Sequence, residues 1–382
     1  VGDESGRLKT LLACLAANPT YVDIEHDIDT AWFDCIQSQF PKISIIRSYH
    51  HMTNTPEDLQ SVINDLYHSR VSVYKVVTTA QSSLDAISFL RTMQQQCIPW
   101  CGHCMGEEGQ FTRFLSSVVG GLWSYVNVSQ DDGGVGLPCI NQYRQYRHEA
   151  LNADTAIYGL IGDPVNHSKG VHFHNAIFSK DNRNAVYINI RCTQDQLQRL
   201  FDGLRFLPIH GMSVTMPLKT AVVSQRLCQT SLTSVNTLKR VDSHWEAINT
   251  DGDGLCDALQ PHVSLQQQRV LLLGAGGAAH GIAAALLNNQ AKVMMANRSL
   301  SSLQSLIQQY PLSVMPWEAI DLTNIDMIIS ALPAVAYQDL KWFDTWSDQV
   351  QSHHVIVDVN YGQGNTPLQL HAARVGATCV GG

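Results

Sequence analysis

A lysine and a histidine on two successive predicted strands could carry out covalent chemistry on a carbonyl group. The runs SYHHMTNTP and VYKVV place His50 and His51 on one strand and Lys75 on the next. A lysine amine at the centre of a strand can form an imine with a ketone, and a neighbouring imidazole can then move protons. A lysine on a strand is also often a plain salt-bridge partner, so this interpretation depends on further motifs.

The tetrapeptide CGHC at residues 101–104 is a second candidate for chemistry. A redox dithiol needs a long apolar strand before it and a helix that starts at the first cysteine and lowers the thiol pKa. Here the polar run RTMQQQCIP precedes the motif and MGEEG follows it. A zinc site using Cys101, His103 and Cys104 would lack a second ligand pair at suitable spacing. A redox or metal-binding module remains an alternative that these neighbours disfavour.

A glycine-rich turn in the last third of the chain indicates dinucleotide binding. The run VLLLGAGGAAHGIAAALL predicts a buried strand, a turn and the start of a helix, with the spacing G-x-G-x-x-A. Small residues permit the tight turn and let backbone N–H groups approach a pyrophosphate at the helix N-terminus. The predicted contacts are Gly274, Ala275, Gly276, Gly277, Ala278 and Ala279.

The end of the following strand favours NADP over NAD. The run AKVMMANRS ends in Asn297, Arg298 and Ser299 instead of the acidic residue that would accept the ribose hydroxyls of NAD. An arginine at this place can form a bidentate pair with a 2′-phosphate. We therefore predict that these three residues contact NADP.

Composition narrows the class of protein. The chain has 382 residues, of which 15% are charged, and a net charge of -8, so its length suggests two or three domains. The absence of clustered Lys and Arg argues against a nucleic-acid partner.

No secretory signal is visible, and glycines with His280 interrupt the most apolar run, so no membrane partner is expected. We expect a cytoplasmic protein, or a plastid protein if the chain is from a plant, with small-molecule substrates and buried thiols.

Short β-rich runs alternate with helical patterns through the first third of the chain. The five runs are YVDIE, KISIIRSYH, VSVYKVV, CIPWCGHCM and WSYVNV. A βα series of this kind predicts parallel strands with helices packed outside. Because a closed barrel of this class needs eight strands, we expect a partial (β/α)8 barrel. The polar segment 142–155 marks a domain boundary, and further α/β regions follow it.

Several ordered motifs in the remaining chain resemble the shikimate dehydrogenase family over roughly residues 156–382. The run GDPVNHSKGVHFHN supplies a serine loop, and GMSVTMPLKTAV and INTDGDG follow it before the glycine turn. The matching positions are Ser168, His174-Asn175, Val214 to Lys219, Val235 to Thr237, Asn249 to Gly254, Asn297 to Ser299, Asp358, Tyr361 and Thr366 to Leu368.

This resemblance implies roles for individual residues. Lys219 and Asp251 would be catalytic, because the reduction of a ketone by hydride needs a proton for the developing alkoxide and a cation–carboxylate pair can relay one. The substrate would be bound by Ser168, Thr215, Asn236 and Tyr361. Gly170 stands where the family usually has a second serine, and the family's C-terminal helix is expected to be missing.

The first third resembles type I 3-dehydroquinate dehydratase over about residues 8–141. The family pattern S-x-H with T-P five residues later selects His50 over His51, and Lys75 takes the position of the Schiff-base lysine. The family's M-G and the arginine eight residues after the methionine correspond to Met105 and Arg113, which would bind the substrate. On this interpretation CGHC belongs to a barrel strand that leads into the loop starting at Met105.

The resemblance also has departures. The family's S-x-P-G-Q loop corresponds to Gly136 through Ile140, so its serine and glutamine are replaced. The family's first three strands, including the glutamate that orients the catalytic histidine, are expected to lie before Val1.

Together the two resemblances predict a fused enzyme of the shikimate pathway, clipped at both ends. The predicted domains are 1–150, a dehydroquinase-like barrel, 154–258, a substrate-binding domain, and 259–382, a Rossmann domain for NADP. The chain would dehydrate 3-dehydroquinate through a Schiff base and reduce 3-dehydroshikimate with NADPH. Two alternatives stay open: an active dehydrogenase half alone, or a module centred on CGHC. The oligomeric state is not predicted.

Overall fold

The computed structural model describes residues 4–128, 137–360 and 364–381. The chain divides into two compact units, Val1–Met212 (unit 1) and Ser213–Gly382 (unit 2), and the three-domain division stays a prediction. In the described ranges, no helix combines the length and apolar character that crossing a membrane requires.

The first part of unit 1 alternates helices and strands. Its four strands form one parallel sheet in chain order, β1-β2-β3-β4, which is the succession expected for the wall of a (β/α) barrel. The elements are α1 (Glu4–Leu15), β1 (Tyr21–Glu25), α2 (Ala31–Gln39), β2 (Ser44–His50), α3 (Leu59–Leu66), β3 (Val71–Thr79), α4 (Ser83–Gln94), β4 (Trp100–Met105), α5 (Thr112–Leu115) and α6 (Ile140–Gln145).

The two faces of this sheet differ in chemistry, because successive side chains of a strand point to opposite sides. One face packs its Val and Ile side chains against the apolar residues of α1 and α2, and it forms a buried core. The register pairs Glu25 with Ser48, Ser48 with Lys75 and Lys75 with Cys101. We call the face that carries these residues the lysine face.

The fifth predicted strand does not form, so the count of five strands was wrong. The run WSYVNV makes a single bridge, between Asn127 and Cys139. Its rings pack across the lysine face: Trp123 contacts the cluster that contains Ile46 and Cys101, and the Tyr125 ring lies 4.7 Å from Lys75 Nζ. A segment that crosses a face of a sheet cannot also extend the hydrogen-bond ladder at its edge.

The second part of unit 1 contains β5 (Ala156–Gly162), α7 (Gly170–Lys180), β6 (Ala185–Arg191) and α8 (Leu197–Gly203), and β7 (Ile209–Val214) passes into unit 2. Strands β5 and β6 pair in parallel. Two polar contacts join this part to the first: Arg91 donates to the carbonyls of Asp202 and Gly203, and Arg191 binds Glu108 at 2.9 Å.

Unit 2 contains a six-stranded parallel sheet of order β12-β11-β10-β13-β14-β15. This is the doubly wound Rossmann order, so the predicted Rossmann fold is confirmed. The elements are α9 (Leu218–Ser224), β8 (Thr237–Val241), β9 (His244–Ile248), α10 (Asp251–Leu259), β10 (Arg269–Leu273), α11 (Gly277–Asn288), β11 (Lys292–Ala296), α12 (Gln304–Gln309), β12 (Ser313–Met315), β13 (Met327–Ser330), α13 (Lys341–Asp344), β14 (Val355–Asp358), α14 (Pro367–Val375) and β15 (Thr378–Gly381).

Helices α10 and α11 touch through glycines. A Cβ atom on Gly252 would lie 2.3 Å from the Gly281 carbonyl oxygen and 2.5 Å from the Ala285 Cβ. A Cβ on Gly281 would lie 2.5 Å from Asn249 Oδ1. Only hydrogen fits at these two positions, and the start of α10 therefore lies against the middle of α11.

This contact generates a stability prediction with a control in the same helix. Gly252→Ala is expected to lower the free energy of unfolding by about 1–3 kcal/mol, because the backbone must move apart. Gly254→Ala places its Cβ where no atom lies within 4 Å, so it is expected to raise stability by up to about 1 kcal/mol through helix propensity. Thermal unfolding midpoints compare the two variants, and shifts of the same sign and size would contradict the prediction.

Candidate active sites

Lys75 lies at the centre of the lysine face in unit 1. Its Nζ donates a hydrogen bond to Asp23 Oδ2 at 2.9 Å, and the lysine side chain is 14% exposed. Burial alone would lower the pKa of Lys75, but the hydrogen bond and negative charge of Asp23 outweigh it, so the pKa is raised. The resting amine is therefore held as an ammonium group by a carboxylate that can also take its proton.

His50 lies on the same face, beside a second carboxylate. The Nδ1 atom of His50 lies 2.7 Å from Glu25 Oε2, and the His50 backbone N–H donates to Glu25 Oε1 at 3.1 Å. Burial would raise the pKa of Glu25, but hydrogen bonds from His50, His26 and Ser48 lower it to about 2. A carboxylate at Nδ1 keeps that nitrogen protonated and leaves Nε2 to act as a base. His51 instead accepts a hydrogen bond from the backbone of Asn54.

The expectation that the carboxylate orienting His50 precedes Val1 was wrong for this chain. Glu25 makes that contact, and the sequence analysis missed it together with Asp23. The available signal was the spacing D-x-E at the end of YVDIE, because residues two apart on a strand share a face. The sequence does not show the strand register. The register places β1 beside β2 and β2 beside β3, so that the carboxylates of β1 share one face of the sheet with His50 and Lys75.

Arg113 is a buried cation with unused hydrogen-bonding capacity. It is 3% exposed, and its Nε and Nη1 atoms have no hydrogen-bond partner among the described residues. Burial lowers the pKa of Arg113, partly offset by the neighbouring Tyr143, yet a guanidinium stays charged in proteins. An anion is the partner that this group lacks. Met105, the last residue of β4, is half-buried beside Thr79 on β3.

The two cysteines of CGHC lie on opposite faces of β4. Cys101 is beside Lys75 on the lysine face, whereas the Cys104 thiol contacts the Thr78 hydroxyl at 3.2 Å on the other face. Residues three apart on a strand point away from each other, so these thiols cannot be joined without rebuilding the strand. Burial raises the pKa of Cys101 to about 11 and that of Cys104 to about 12. Across the described ranges, no group of three potential metal ligands occurs.

In unit 2 the structure brings together Lys219, Asp251 and Asn236. Lys219 Nζ donates to Asp251 Oδ2 at 2.5 Å, and Asn236 Nδ2 donates to Asp251 Oδ1 at 2.8 Å. The amine and the carboxylate are 16% and 23% exposed. Both oxygens of the carboxylate are thus engaged, and the pair is open enough to meet a small molecule.

Three local contacts fix this pair. Asp251 begins α10, and its backbone N–H donates to Asn249 Oδ1 at 3.0 Å. The Lys219 carbonyl accepts from the Val235 N–H at 2.9 Å, which holds the first turn of α9 beside the V-N-T motif. A Cβ on Gly277 would lie 2.5 Å from the Lys219 Cβ, so the start of α11 is also against the lysine.

Of the other residues predicted to bind the substrate, the structure describes Thr215 and Ser168. Thr215 follows β7 and is half-buried, and its carbonyl accepts from the Leu218 N–H at 2.9 Å. Ser168 belongs to unit 1, where its Oγ accepts from the Gly170 N–H at 3.1 Å. Tyr361 and Gly136 lie outside the described residues.

The glycine turn of unit 2 fits a dinucleotide. Gly274 follows β10 with φ of +111°, a conformation that favours glycine, and a Cβ there would lie 3.0 Å from the Ala331 oxygen. Gly276 caps the N-terminus of the twelve-residue helix α11, and a Cβ on it would point into space free of atoms within 4 Å. This leaves backbone N–H groups open to a pyrophosphate at the strand-order switch point, between β10 and β13. Arg298 and Ser299 are exposed after β11.

Asp358 is a buried hydrogen-bond acceptor at the C-terminal end of β14. It is 0% exposed and accepts hydrogen bonds from the Tyr337 hydroxyl at 2.6 Å and the Thr366 hydroxyl at 2.7 Å. Burial and the Asp358 charge raise the pKa of Tyr337, so its hydroxyl stays a donor. The motif residues Asp358 and Thr366 therefore tie β14 to the start of α14.

Comparison with protein families matches three consecutive parts of the chain. The type I 3-dehydroquinase model matches residues 1–150. The model for the shikimate dehydrogenase substrate binding domain matches residues 160–238, and the shikimate / quinate 5-dehydrogenase model matches residues 257–360.

Individual relatives share this arrangement. The Shikimate biosynthesis protein AroDE of Chlamydia pneumoniae is 32% identical over 341 residues, which cover 85% of this chain and 69% of the relative. The chloroplastic bifunctional 3-dehydroquinate dehydratase/shikimate dehydrogenase of Arabidopsis thaliana is 27% identical over 416 residues, covering 100% and 68%.

The second part of the chain also has relatives of its own. The shikimate dehydrogenase (NADP(+)) of Aquifex aeolicus is 30% identical over 239 residues, covering 61% of this chain and 87% of the relative. A crystal structure of shikimate dehydrogenase from that organism aligns with a TM-score of 0.55 at 29% identity, over 61% of this chain and 88% of the other. The chain therefore belongs to the family of proteins in which a type I 3-dehydroquinase is fused to a shikimate dehydrogenase.

Proposed function

We propose that this chain catalyses two consecutive reactions of the shikimate pathway: the dehydration of 3-dehydroquinate to 3-dehydroshikimate and the NADPH-dependent reduction of 3-dehydroshikimate to shikimate. The observation that carries the proposal is that each unit holds one amine bonded to one carboxylate, Lys75 with Asp23 and Lys219 with Asp251. The proposed domains are 1–150 for the first reaction, and 154–258 with 259–382 for the second.

In the dehydration, Lys75 attacks the substrate ketone after passing a proton to Asp23. The carbonyl oxygen leaves as water, and the resulting imine acidifies the neighbouring C–H bond. His50, whose Nδ1 is held by Glu25, takes that proton at Nε2 and returns it to the departing hydroxyl group. Water then hydrolyses the product imine, which releases 3-dehydroshikimate and restores the Lys75 amine. Arg113 pairs with the substrate carboxylate, an anion that fits its unused donors. Met105 lines the same site.

In the reduction, the Lys219–Asp251 pair handles the proton. NADPH supplies the hydride when it is bound, with its pyrophosphate at Gly274–Ala279 and its 2′-phosphate at Asn297–Ser299. Lys219 donates a hydrogen bond to the ketone oxygen and transfers a proton as the alkoxide forms. Asp251 orients the amine, and Asn236 Nδ2 donates to that carboxylate. A contact of Asn236 with the substrate is part of the proposal. Thr215, Ser168 and Tyr361 are proposed to bind the remaining substrate oxygens.

The reduction is tested by Lys219→Ala. NADPH consumption with 3-dehydroshikimate is expected to fall by about 10²–10⁴-fold, since the proton donor is lost, while dehydration of 3-dehydroquinate continues. Lys239→Ala, an exposed lysine on β8, is the matched control and should keep the starting rate. Unchanged NADPH consumption in Lys219→Ala would refute the role of this lysine.

The cofactor assignment is tested by Arg298→Ala. The KM for NADPH is expected to rise roughly 10- to 100-fold, because a charged hydrogen bond to the 2′-phosphate is removed, while the KM for NADH stays nearly the same. Lys292→Ala, an exposed residue at the other end of β11, is the control. An equal rise in both KM values would contradict a specific contact with the 2′-phosphate.

The dehydration is tested by reducing the imine with borohydride and locating the adduct on Lys75 by mass spectrometry. Trapping needs the neutral amine, and Asp23 raises the pKa of Lys75. Asp23→Asn should lower that pKa, so the pH at which trapping is half-maximal should fall by about 1 unit.

Asp27→Asn is the control for this shift, since Asp27 is 56% exposed and pairs with Arg7, and it should leave the midpoint unchanged. If no adduct forms on Lys75 at any pH, the first reaction is refuted and only the reduction remains as the proposed function.

A further inference from the structure

His103 is a polar side chain buried on the lysine face. It is 6% exposed and belongs to β4, where its register partner is Val77. His50 on β2 is the partner of the same Val77 from the other side. The two histidines therefore flank β3 about 10 Å apart, twice the spacing of neighbouring strands. Lys75 lies two residues earlier on β3, between them.

The surroundings of His103 are unlike those of the other buried histidines. His280 contacts the Thr233 hydroxyl at 2.8 Å, and His354 accepts from the Gln351 N–H at 2.8 Å. For His103, the described part of the chain provides no hydrogen-bond partner. The ring nitrogens of His103 are not fully enclosed, in contrast to Nε2 of His354, which is a fully buried atom without a partner. Unpartnered ring nitrogens that are not sealed off, on the face that carries Lys75, point to a partner that arrives with the substrate.

The ionisable side chains that act on the His103 ring are basic residues. Arg113 of α5 has the largest influence, followed by Lys75 of β3 and His50 of β2. Burial, together with these charges, holds the pKa of His103 well below its usual value. The ring is therefore neutral, and it offers one N–H donor and one acceptor nitrogen.

The position relative to Arg113 and Lys75 indicates which substrate atom the ring meets. In 3-dehydroquinate the carbon that bears the carboxylate also bears the hydroxyl group that leaves. With the carboxylate on Arg113 and the ketone carbon on Lys75, that hydroxyl lies between these two cations. Of the ionisable side chains, these two act most strongly on the His103 ring.

We propose that His103 is a second substrate-contacting histidine of the dehydratase site, whose N–H donates a hydrogen bond to the departing hydroxyl oxygen. This inference rests on the proposed dehydration. The C–H bond beside the imine carbon breaks and His50 takes the proton. The electron pair forms the new C=C bond as the C–O bond breaks, and the His50 proton joins the leaving oxygen to give water. His103 stabilises the charge on that oxygen and neither gains nor loses a proton.

The test uses the full chain with His103→Phe, and His68→Phe as the matched control. His68 lies before β3, its ring packed on Phe33 at 5.1 Å, away from the lysine face. Dehydration kcat is expected to fall by about 10²-fold in His103→Phe and to stay the same in His68→Phe. His103→Gln, which keeps an N–H donor, should recover part of the loss. Substrate trapping on Lys75 reports that the sheet of unit 1 is folded.

Hydrogen exchange separates this role from a structural one. In deuterated water, exchange of the proton beside the imine carbon depends on Lys75 and His50, whereas product formation also requires the hydroxyl to leave. The ratio of exchange to product is expected to rise at least tenfold in His103→Phe. An unchanged kcat, or equal loss of exchange and product, would overturn the proposal.

Two further outcomes are decisive. If His103→Phe no longer traps substrate on Lys75, His103→Met replaces it as the apolar variant of similar length, and the same ratio decides. If the unchanged chain neither forms product nor traps substrate on Lys75, both the dehydratase function and the role of His103 are refuted. Trapping with a full dehydration rate in the His103 variants would refute the role of His103 alone.

Discussion

A largely buried amine needs a carboxylate within hydrogen-bond distance, and both candidate sites are built around this constraint. Removing an ammonium group from water without a partner costs several kcal/mol. Asp23 supplies the partner for Lys75 at 2.9 Å and Asp251 supplies it for Lys219 at 2.5 Å. Neither carboxylate is a near neighbour of its lysine in sequence. The sheet of unit 1 and the helix contacts of unit 2 are therefore what make each pair possible.

The same pair serves opposite purposes at the two sites. In the proposed dehydration, Lys75 has to lose its proton before it can form an imine. Its carboxylate partner lies on a face that also carries the proposed base, His50, which Glu25 holds. In the proposed reduction, Lys219 has to deliver a proton, and Asn236 donates to the other oxygen of its carboxylate partner. The neighbours of each pair decide the direction of proton transfer. On the lysine face, His103 adds a ring among the basic side chains of Arg113, Lys75 and His50.

Close backbone packing positions the second site. Gly252 and Gly281 let α10 touch α11, and Gly277 brings the start of α11 against the Lys219 stem. The N-terminus of α11 is where the glycine turn opens toward a dinucleotide. The Lys219–Asp251 pair and the glycine turn thus depend on the same close contact, and side chains larger than hydrogen at these glycines would separate them.

The sequence alone was enough to identify three local features. These are the glycine turn after a buried strand, the motif spacings around Lys219 and Asp251, and the order of the two family resemblances. These depend on neighbours within a few residues, which is why they could be identified without a structure. The partners of Lys75 and His50, the opposite directions of Cys101 and Cys104, and the path of WSYVNV across the lysine face came only from the tertiary structure. Strand register and face are set by contacts between distant segments, because a shift of one residue moves every side chain to the other side of the sheet.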